Sequence, residues 1–517
     1  MARSCDYSEI SHQPNADDFG ALKQKITDLE ARIEGRRSDL GWHDPIRSVS
    51  TSKSPTSTTD LTLSQDGSTF PPMFFLDAEV FQESSTKIIK PVIPVPTEVA
   101  NTLGTSILDI QDVVDRYFAN IHTWLPVVSK KRMELNLSNP SLELSLELSL
   151  LLLAMKLIIQ IPSGDSQSVR SPLYALTKRY FAMVESAGII SNQTLQANIL
   201  ISAYEIGHAI YPAAYLTTGH SARLGHALGL NDRQNAPQIH KKKAAAWAEV
   251  EEVRRTWWAV MLLDRYVNLG SQGHPLATDD PARKDMLPAD DAMWDAGEMT
   301  TSEPLYVSSP TNVRAGAFAR TCQATHLLGR LIRLLNDNLL EAPARFTEAI
   351  QLHRTIQALA NLVPADVQRS PEQFGTSIAL CYSSLIHLSD PFACTESNRG
   401  DHTVEETEMQ GIAIAGMRNA ADDVFSFSQL LRRSMTQNPS SISPLVGDCL
   451  YMAAATYAWI VHETGSREVA ESYHSLKNVL EIMSCRWAVG AQYLVILKKA
   501  QETLYPQTPL LLRSFEN

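Results

Sequence analysis

The amino-acid sequence predicts an all-α protein, and two observations lead to that prediction. Apolar residues recur at spacings of three and four from about residue 106 onwards, which is the period of helices with one buried face. The alternation of strands and helices that marks a parallel sheet does not occur, and neither do runs of hairpin turns. We therefore expect a large multi-helix body, built as one domain or as two closely packed halves, behind a short coiled-coil segment and a disordered linker.

The coiled-coil segment is predicted from a heptad pattern at residues 19–33. Its apolar side chains follow one another at spacings of 3, 4, 3 and 4, which places them on one seam of a helix: Phe19, Leu22, Ile26, Leu29 and Ile33. The last four are the candidate dimerisation residues. Two heptads are marginal, because isolated helices shorter than about 12–15 residues are barely stable in water. A frayed amphipathic helix is an equal alternative.

Residues 46–105 form the predicted linker. Ser and Thr predominate between Arg47 and Thr69, and so few apolar residues cannot compensate the entropy lost on ordering. Prolines then follow at a density that interrupts regular helix: Pro71, Pro72, Pro91, Pro94 and Pro96. We expect the folded body to begin near Ser106 and to comprise residues 106–295 and 296–517.

Within the body, the period-2 segment SLELSLEL at 141–148 would by itself suggest a strand. It continues directly into the apolar block Leu150–Met155, which favours one long buried helix. A loop rich in Pro, Asp and Gly is expected at 270–312. The other helices predicted from periodicity cover 110–121, 172–188, 195–209, 215–230, 244–269, 314–340, 346–362, 376–388, 409–433, 444–464 and 471–504.

Charge and hydropathy exclude several classes of function. The chain carries 45 basic and 57 acidic side chains, a net charge of −12, so we expect it to bind nucleic acid poorly without a specific module. Its longest apolar run, Leu148–Ile161, has 14 residues, whereas a helix needs about 20 to cross a bilayer. The N-terminus lacks the apolar stretch of a signal peptide. We expect no membrane anchor and a reducing intracellular compartment.

The cysteines do not form a metal-binding pattern. They lie at positions 5, 322, 381, 394, 449 and 485, and no two have the CxxC spacing that brings two thiolates to one zinc ion. A disulfide framework is not expected in a chain of this size. No metal ligand is therefore predicted among them as they stand.

The segment WAEVEEVRRTWW predicts a structural helix. Glu251 lies four residues before Arg255, a spacing that allows an ion pair of about 0.2–0.5 kcal/mol. A carboxylate between arginines would have a lowered pKa and would be a poor base near neutrality, which argues against catalysis. An apolar stripe at spacings of 3, 4 and 4 is expected to be buried: Val250, Val253, Trp257 and Met261.

Two charged residues follow on the same helix. Asp264 and Arg265 lie in otherwise apolar sequence, and buried charges must be paired. We expect this pair to fix helix packing near the turn at Gly270–Pro275.

The histidines do not predict a metal site. His208, His220 and His226 lie close in sequence, but the last two are six residues apart, which separates them by about 240° around a helix. Motifs such as GxSxG, GxxxxGK[ST] and GxGxxG do not occur. We predict no catalytic, cofactor-binding or metal-ligating residue. The basic tract His240–Lys243 is read as a solvated loop, with part of a nuclear import signal as the alternative.

Taken together, the segments from 178 to 291 resemble the middle homology region of fungal zinc-cluster (Zn2Cys6) transcription factors, with residues 106–295 covered strongly and 296–517 only as a helical tail. His274 departs from the arginine or lysine that is common before the proline. The residues that carry the resemblance are Lys178-Arg179-Tyr180, Thr194-Leu195-Gln196-Ala197, Tyr204-Glu205, Pro212-Ala213-Ala214-Tyr215, Arg223 through Leu230, Glu251-Glu252, Arg254-Arg255, Trp257-Trp258, Asp264-Arg265, Gly273, Pro275, Leu287-Pro288 and Asp290-Asp291.

The resemblance implies a transcription regulator that acts in the nucleus, is not an enzyme, and controls a biosynthetic (secondary-metabolite) or catabolic gene set. It also implies an all-α regulatory domain that in some members binds a small-molecule effector. DNA would be a partner of the full-length form only, because Cys5 resembles the last cysteine of a zinc cluster whose other ligands are missing here. Zinc would be a cofactor only with an upstream cluster, and residues 1–45 would be the end of that cluster plus the heptad linker, which pairs homo- or heterodimers.

Alternatives remain open at this point. The chain could be a helical small-molecule-binding protein or enzyme that shares the fold, a dominant-negative dimerisation partner without DNA binding, or a non-functional remnant. The missing cluster could reflect a gene model without its first exon, a shortened isoform or a true loss.

Overall fold

The computed structural model describes residues 70–504, except for 85, 87, 89, 90, 92, 105, 139–143, 163–167, 233, 234, 240–245, 271, 272, 300–302, 311, 312 and 394–402. Cys5, the heptads at 19–33, the linker up to residue 69 and the basic tract at 240–243 lie outside these residues. The predictions made for them therefore remain predictions.

The prediction of an all-α fold is confirmed. Within the described residues the backbone forms helices and short 3-10 turns, together with one isolated antiparallel bridge between Met286 and Tyr306. The helices are α1 (Met73–Leu76), α2 (Ala78–Glu83), α3 (Thr97–Leu103), α4 (Ile107–Asn120), α5 (Lys130–Leu137), α6 (Leu146–Ile159), α7 (Pro172–Ser186), α8 (Asn192–Gly207), α9 (Ala213–Ala227), α10 (Trp247–Val267), α11 (Asp291–Ala296), α12 (Ala317–Asn336), α13 (Ala342–Leu362), α14 (Pro364–Arg369), α15 (Pro371–Ala393), α16 (Val404–Gln437), α17 (Gly447–Thr464), α18 (Arg467–Ser484) and α19 (Val489–Leu504).

The helical body starts before Ser106, so the predicted boundary of the linker at residue 105 is wrong. Helices α1 to α3 precede it, and α3 buries Val99 and Leu103 in the main core. Pro72 and Pro96 occupy the positions just before α1 and α3, where a helix does not need the N–H that proline lacks. The proline density therefore marks helix starts here rather than an absence of helix.

Helices α6 and α8 lie at the centre of the first part of the body. In α6 every residue except Lys156 is buried, which confirms the predicted buried helix. The helix begins at Leu146 because the Ser145 hydroxyl caps it, accepting a hydrogen bond from Leu148 N at 3.2 Å. The period-2 pattern of SLELSLEL thus ends in a cap rather than continuing as a strand. Helix α8 is buried from Thr194 to Gly207 and packs against α6, α9 and α10.

The second part of the body is formed by α12 to α19. Helix α15 packs against α12 and α16, and α17 packs against α16 and α18. The sequence predicted one helix over 471–504, but the chain forms two, α18 and α19. They separate at Cys485–Ala488, where Trp487 turns inward and donates from Nε1 to the carbonyl of Ile442 at 2.8 Å.

Among the described helices, Pro444–Thr464 is long and apolar enough to cross a membrane by length and composition alone. The same segment has 78% of its most apolar window buried against the rest of the chain, as in the core helix of a soluble fold.

Candidate functional site

The first half of helix α10 turns three charged side chains towards the core. Glu251, Glu252 and Arg255 are only 0%, 5% and 0% exposed, whereas Val253 and Trp257 are partly exposed. The prediction that the apolar stripe of this helix is buried is therefore wrong for all of its members except Met261. Burying charge is unfavourable unless every group is paired, so the partners of these side chains decide whether the arrangement is stable.

Arg255 is at the centre of the first cluster, which we call the Arg255 cluster. Its Nε lies 3.0 Å from Glu251 Oε1, which confirms the predicted ion pair, and its Nη1 lies 2.7 Å from Asp291 Oδ1. Its Nη2 donates to the carbonyl of Ala289 at 2.8 Å, and its guanidinium stacks 4.1 Å over the ring of Trp294.

The carboxylates of the Arg255 cluster extend it to the backbone. Glu251 also accepts from Ala289 N at 2.8 Å, and Asp291 accepts from Phe318 N at 3.1 Å, at the start of α12. Burial alone would lower the pKa of Arg255, but Asp291 and Glu251 outweigh it and raise the pKa. The cluster therefore joins α10, α11 and α12 as a charged, fully paired contact.

Glu252 forms a second cluster, with partners on other helices. Its Oε1 accepts from Ser129 N at 3.0 Å and from Gln196 Nε2 at 3.0 Å, and its Oε2 pairs with Arg132. Gln196 donates in addition to the carbonyl of Val127 at 2.6 Å. These contacts attach α10 to the start of α5 and to α8. Sequence periodicity alone did not predict Arg132 or Ser129 as partners, because contacts 120 and 123 residues apart leave no local signal.

Asp264 and Arg265, which were expected to fix helix packing near the turn at Gly270–Pro275, pair with each other and hold the loop at 277–279, slightly further along the chain. Asp264 accepts from the backbone N–H groups of Ala277 and Thr278, each at 3.0 Å. Arg265 contacts Thr278 and donates to the carbonyl of Asp279 at 2.8 Å. Burial lowers the pKa of Arg265 to about 10.

Several other residues that carry the family resemblance contact one another. Glu205, fully buried, accepts from the Tyr174 hydroxyl at 2.7 Å and lies 3.0 Å from Lys178 Nζ. Tyr204 donates to the carbonyl of Val169 at 2.8 Å. The sequence blocks around 178 and 204 are thus two sides of one helix contact between α7 and α8.

The three histidines of the sequence analysis lie in separate environments. His208 is buried against Tyr204 and Trp487, and burial lowers its pKa to about 3. His220 pairs with Glu185 at 2.9 Å, while His226 packs edge-on against Trp257 with ring centroids 5.3 Å apart. In the part of the chain that the structure describes, no group of three or more His, Cys, Asp or Glu side chains could hold a metal ion. The cysteines described there, 322, 381, 449 and 485, are free thiols.

The partly exposed stripe of α10 lines a groove of ≈ 500 Å³. Val250, Val253, Trp257 and Met261 form its floor. One wall comes from residues 230–232 and 235, after α9, and the other from residues 279–282 and 284–286, in the loop that Asp264 and Arg265 hold. The buried charges of α10 therefore position one wall of the groove that its apolar side chains line.

Comparison with known families decides what this architecture is. The model of the fungal specific transcription factor domain matches residues 114–405, more than half of the chain. The chain belongs to that family. The match runs across residue 295, where the sequence analysis divided the body.

Three similar proteins are also transcription regulators by name. The chain is 35% identical over 184 residues to transcription factor BOA15 of Botryotinia fuckeliana, which covers 35% of this chain and 98% of the relative. It is 28% identical over 190 residues to the pigment biosynthesis transcriptional activator pigB of Monascus ruber, and 25% identical over 179 residues to transcription factor tazR of Aspergillus terreus. The matches cover 35% and 34% of this chain but only 34% and 28% of those two relatives. No solved structure matches.

The protein is therefore a regulator of transcription of the fungal type and not an enzyme. Membership of the family implies regulation at DNA, which is a nuclear process.

Proposed function

We propose that this protein acts in the nucleus as the regulator of a biosynthetic (secondary-metabolite) or catabolic gene set. The observation that supports the proposal is the similarity to pigB, a pigment biosynthesis transcriptional activator, within a family match that covers more than half of the chain. The charged clusters of α10 have a structural role in this proposal, because each charge is paired within the fold.

The test is deletion of the gene followed by transcript profiling, with a fluorescent fusion to follow the protein in the cell. We expect a small set of co-regulated genes to change and the fusion to accumulate in nuclei. Unchanged transcripts, or a fusion excluded from nuclei, would count against the proposal.

We propose DNA as a partner of the full-length form only. The net charge of −12 disfavours phosphate, and the cysteines of this sequence have no CxxC spacing. An upstream cluster would have to supply the zinc ligands, with Cys5 as the last of them. Sequencing the 5′ end of the transcript tests this, since an in-frame exon with further cysteines at CxxC spacing supports it and a transcript that starts at Met1 contradicts it.

We propose homo- or heterodimers through residues 19–33. Replacing Leu22 and Leu29 with Asp puts charges on the apolar seam and should convert dimers to monomers in analytical ultracentrifugation. Gln24→Asp with Ala31→Asp is the matched control, because it adds the same two charges seven residues apart on the outer face of the predicted helix. Sedimentation that both double variants leave unchanged would remove the dimer from the proposal.

The groove beside α10 favours a second candidate function, the binding of a small-molecule effector by a helical protein. Such a protein could act by itself, or as a dominant-negative dimerisation partner that does not bind DNA. Its ≈ 500 Å³ lies within the range of about 300–1,000 Å³ that is usual for small-molecule sites.

A further inference from the structure

We propose that residues 505–517 turn back and cover an apolar surface formed by α17 and α19. These residues lie outside the part of the chain that the structure describes, so the surface itself and the sequence after α19 carry the proposal. It is independent of the gene regulation proposed above, because it concerns a contact within the chain.

Helix α17 is buried on every side except one, and that side is apolar. Between Gly447 and Val461 the residues that are not buried follow one another at spacings of 1, 3 and 4, which places them on a single stripe: Tyr451, Met452, Ala455 and Trp459. Single exposed apolar side chains are normal on a protein surface, but a contiguous apolar stripe marks a site of interaction.

The stripe continues on α19. Tyr451 stacks on Tyr493 of α19, with ring centroids 5.0 Å apart, and both side chains are partly exposed. A Cβ at Gly447 would lie 2.9 Å from Tyr493 Cε2, so the two helices approach closely here. Ile496 follows Tyr493 by three residues, on the same face, and is 43% exposed. We call these residues the α17–α19 surface: Tyr451, Met452, Ala455, Trp459, Tyr493 and Ile496.

The sequence after α19 supplies an apolar segment that matches this surface. Helix α19 ends at Leu504, and Pro506 and Pro509 would interrupt its continuation. Three leucines, Leu510–Leu512, and Phe515 follow directly. The segment has one basic and one acidic side chain, so no net side-chain charge opposes its burial.

The segment is long enough to reach the surface. Ile496 lies eight residues before Leu504, which is about 12 Å along a helix. The six residues from Leu504 to Leu510 span up to about 20 Å when they are extended. Leu510–Leu512 can therefore lie against Ile496 and the adjoining rings. Removing both apolar surfaces from water favours this contact, and a contact within one chain avoids the entropy cost of association.

Hydroxyl-radical footprinting of the purified full chain tests the proposal, because the oxidation of a side chain, read by mass spectrometry, reports its exposure to water. Leu510→Asp with Leu512→Asp puts charges on the apolar segment and should raise the oxidation of Trp459 at least about threefold. Gln507→Asp with Ser514→Asp, the matched control, adds the same charges at polar positions of the segment and should leave Trp459 unchanged. Trp257, partly exposed on α10, should react equally in every variant whose fold is intact.

A reciprocal variant tests the surface from the other side. Ile496→Asp should release the segment and raise the oxidation of Leu510–Leu512 and Phe515 at least about threefold. Val495→Asp is the matched control, because Val495 is similarly exposed, at 47%, and receives the same charge. It follows Tyr493 by two residues and therefore lies on the far side of α19 from the surface.

Unchanged oxidation of Trp459 in the double leucine variant, or equal effects of Ile496→Asp and Val495→Asp on the segment, would overturn the proposal. Oxidation of Trp459 that rises when the parent protein is diluted would also overturn it, because a second copy of the chain would then be what covers the surface. If Trp257 reacts faster in the double leucine variant, its fold is disturbed, and the comparison of Ile496→Asp with Val495→Asp decides.

Discussion

Arg255 shows how a single side chain can connect three helices. Its guanidinium contacts Glu251 on α10, Asp291 on α11 and the carbonyl that precedes α11, while Asp291 also accepts from the first turn of α12. None of these groups is left without a partner, which is the condition for a buried ion cluster to be tolerated. The same arrangement makes each member difficult to replace by itself.

Replacing Arg255 with Met should destabilise the fold by roughly 3–5 kcal/mol, because buried Glu251 would keep only the partly exposed Arg254 as a cation and Asp291 would lose its cation altogether. Urea unfolding followed by circular dichroism measures the loss. Arg467→Met is the matched control, since Arg467 forms an i,i+4 pair with Glu471 but both side chains are exposed. An equal loss in the two variants would contradict a special role for the buried cluster.

His208 gives the fold a dependence on pH. Burial, and to a smaller extent Arg486, lower its pKa from 6.5 to about 3. The folded state keeps His208 neutral at pH values where the unfolded state protonates it. The stability that depends on this residue is therefore fully present above the unfolded pKa and is lost as the pH falls towards the folded pKa. From pH 8 to pH 5 we expect this residue to account for a loss of about 2 kcal/mol.

His208→Phe removes the titration while keeping a ring in the same site. The unfolding free energy of the variant should therefore change less between pH 8 and pH 5 than that of the parent protein, whatever its absolute stability. The test is how steeply the unfolding free energy falls with pH, not its absolute value. If the variant and the parent protein have parallel pH profiles, His208 is ruled out as the cause of the pH dependence.

At the scale of elements, the contact between α9 and α10 depends on a missing side chain. Gly225 lets the indole of Trp257 rest on the backbone of α9, where a Cβ would approach Cζ3 to 2.4 Å. Gly219 lies on the same helix, and nothing lies within 4 Å of the position its Cβ would take. The two glycines therefore differ only in what surrounds them.

Alanine at these two positions should have opposite effects. Gly225→Ala forces Trp257 to move and should destabilise the protein by about 1–3 kcal/mol through overpacking. Gly219→Ala should stabilise it by about 0.5–1 kcal/mol, because alanine favours the helix. Thermal unfolding separates the outcomes, and a stabilising Gly225→Ala would show that the indole is not held against α9.

Sequence periodicity predicted most helices correctly, but it did not predict which face of α10 is buried. Most helices of the body lie within a few residues of the predicted bounds, since long amphipathic patterns specify helices locally. The orientation of α10 could not be predicted, because Glu252 is buried by partners on α5 and α8 that are distant in sequence. The break between α18 and α19 was missed because Trp487 is drawn inward by a tertiary contact and not by a glycine or proline at the break.

The candidate site, too, could be predicted from the sequence only in part. The blocks around 251–265 and 287–291 were singled out from the sequence, and the structure brings them together around Arg255. The groove itself was not predicted, since a half-exposed apolar stripe and a buried one have the same sequence pattern. The two kinds of stripe differ only in which residues pack beside them in the folded protein.

At the scale of the whole molecule, Arg486 and Trp487, which lie between α18 and α19, join the two parts of the body. Trp487 packs over Gly207 at the end of α8, where a Cβ would approach its ring to 2.4 Å, and its ring centroid lies 6.3 Å from that of Trp124. Arg486 stacks 3.7 Å over the Trp487 ring and donates to the carbonyls of Ile158 and Gln160 at 2.5 and 3.3 Å. Residues near 486 thus complete the core around α6 and α8.

This joining predicts that residues 97–504 unfold in a single transition and that the segment 97–295 does not fold cooperatively when expressed alone. Trp487→Ala should cost about 3–5 kcal/mol. Its effect should reach α6 and α8, whose amides should exchange hydrogen faster, in addition to those of α18 and α19. Ile496→Ala, at a half-exposed position of α19, is the control and should leave α6 and α8 protected. If Trp487→Ala speeds hydrogen exchange only in residues 467–504, loss of the shared tryptophan does not destabilise α6 and α8. The two parts of the body would then be separate folding units.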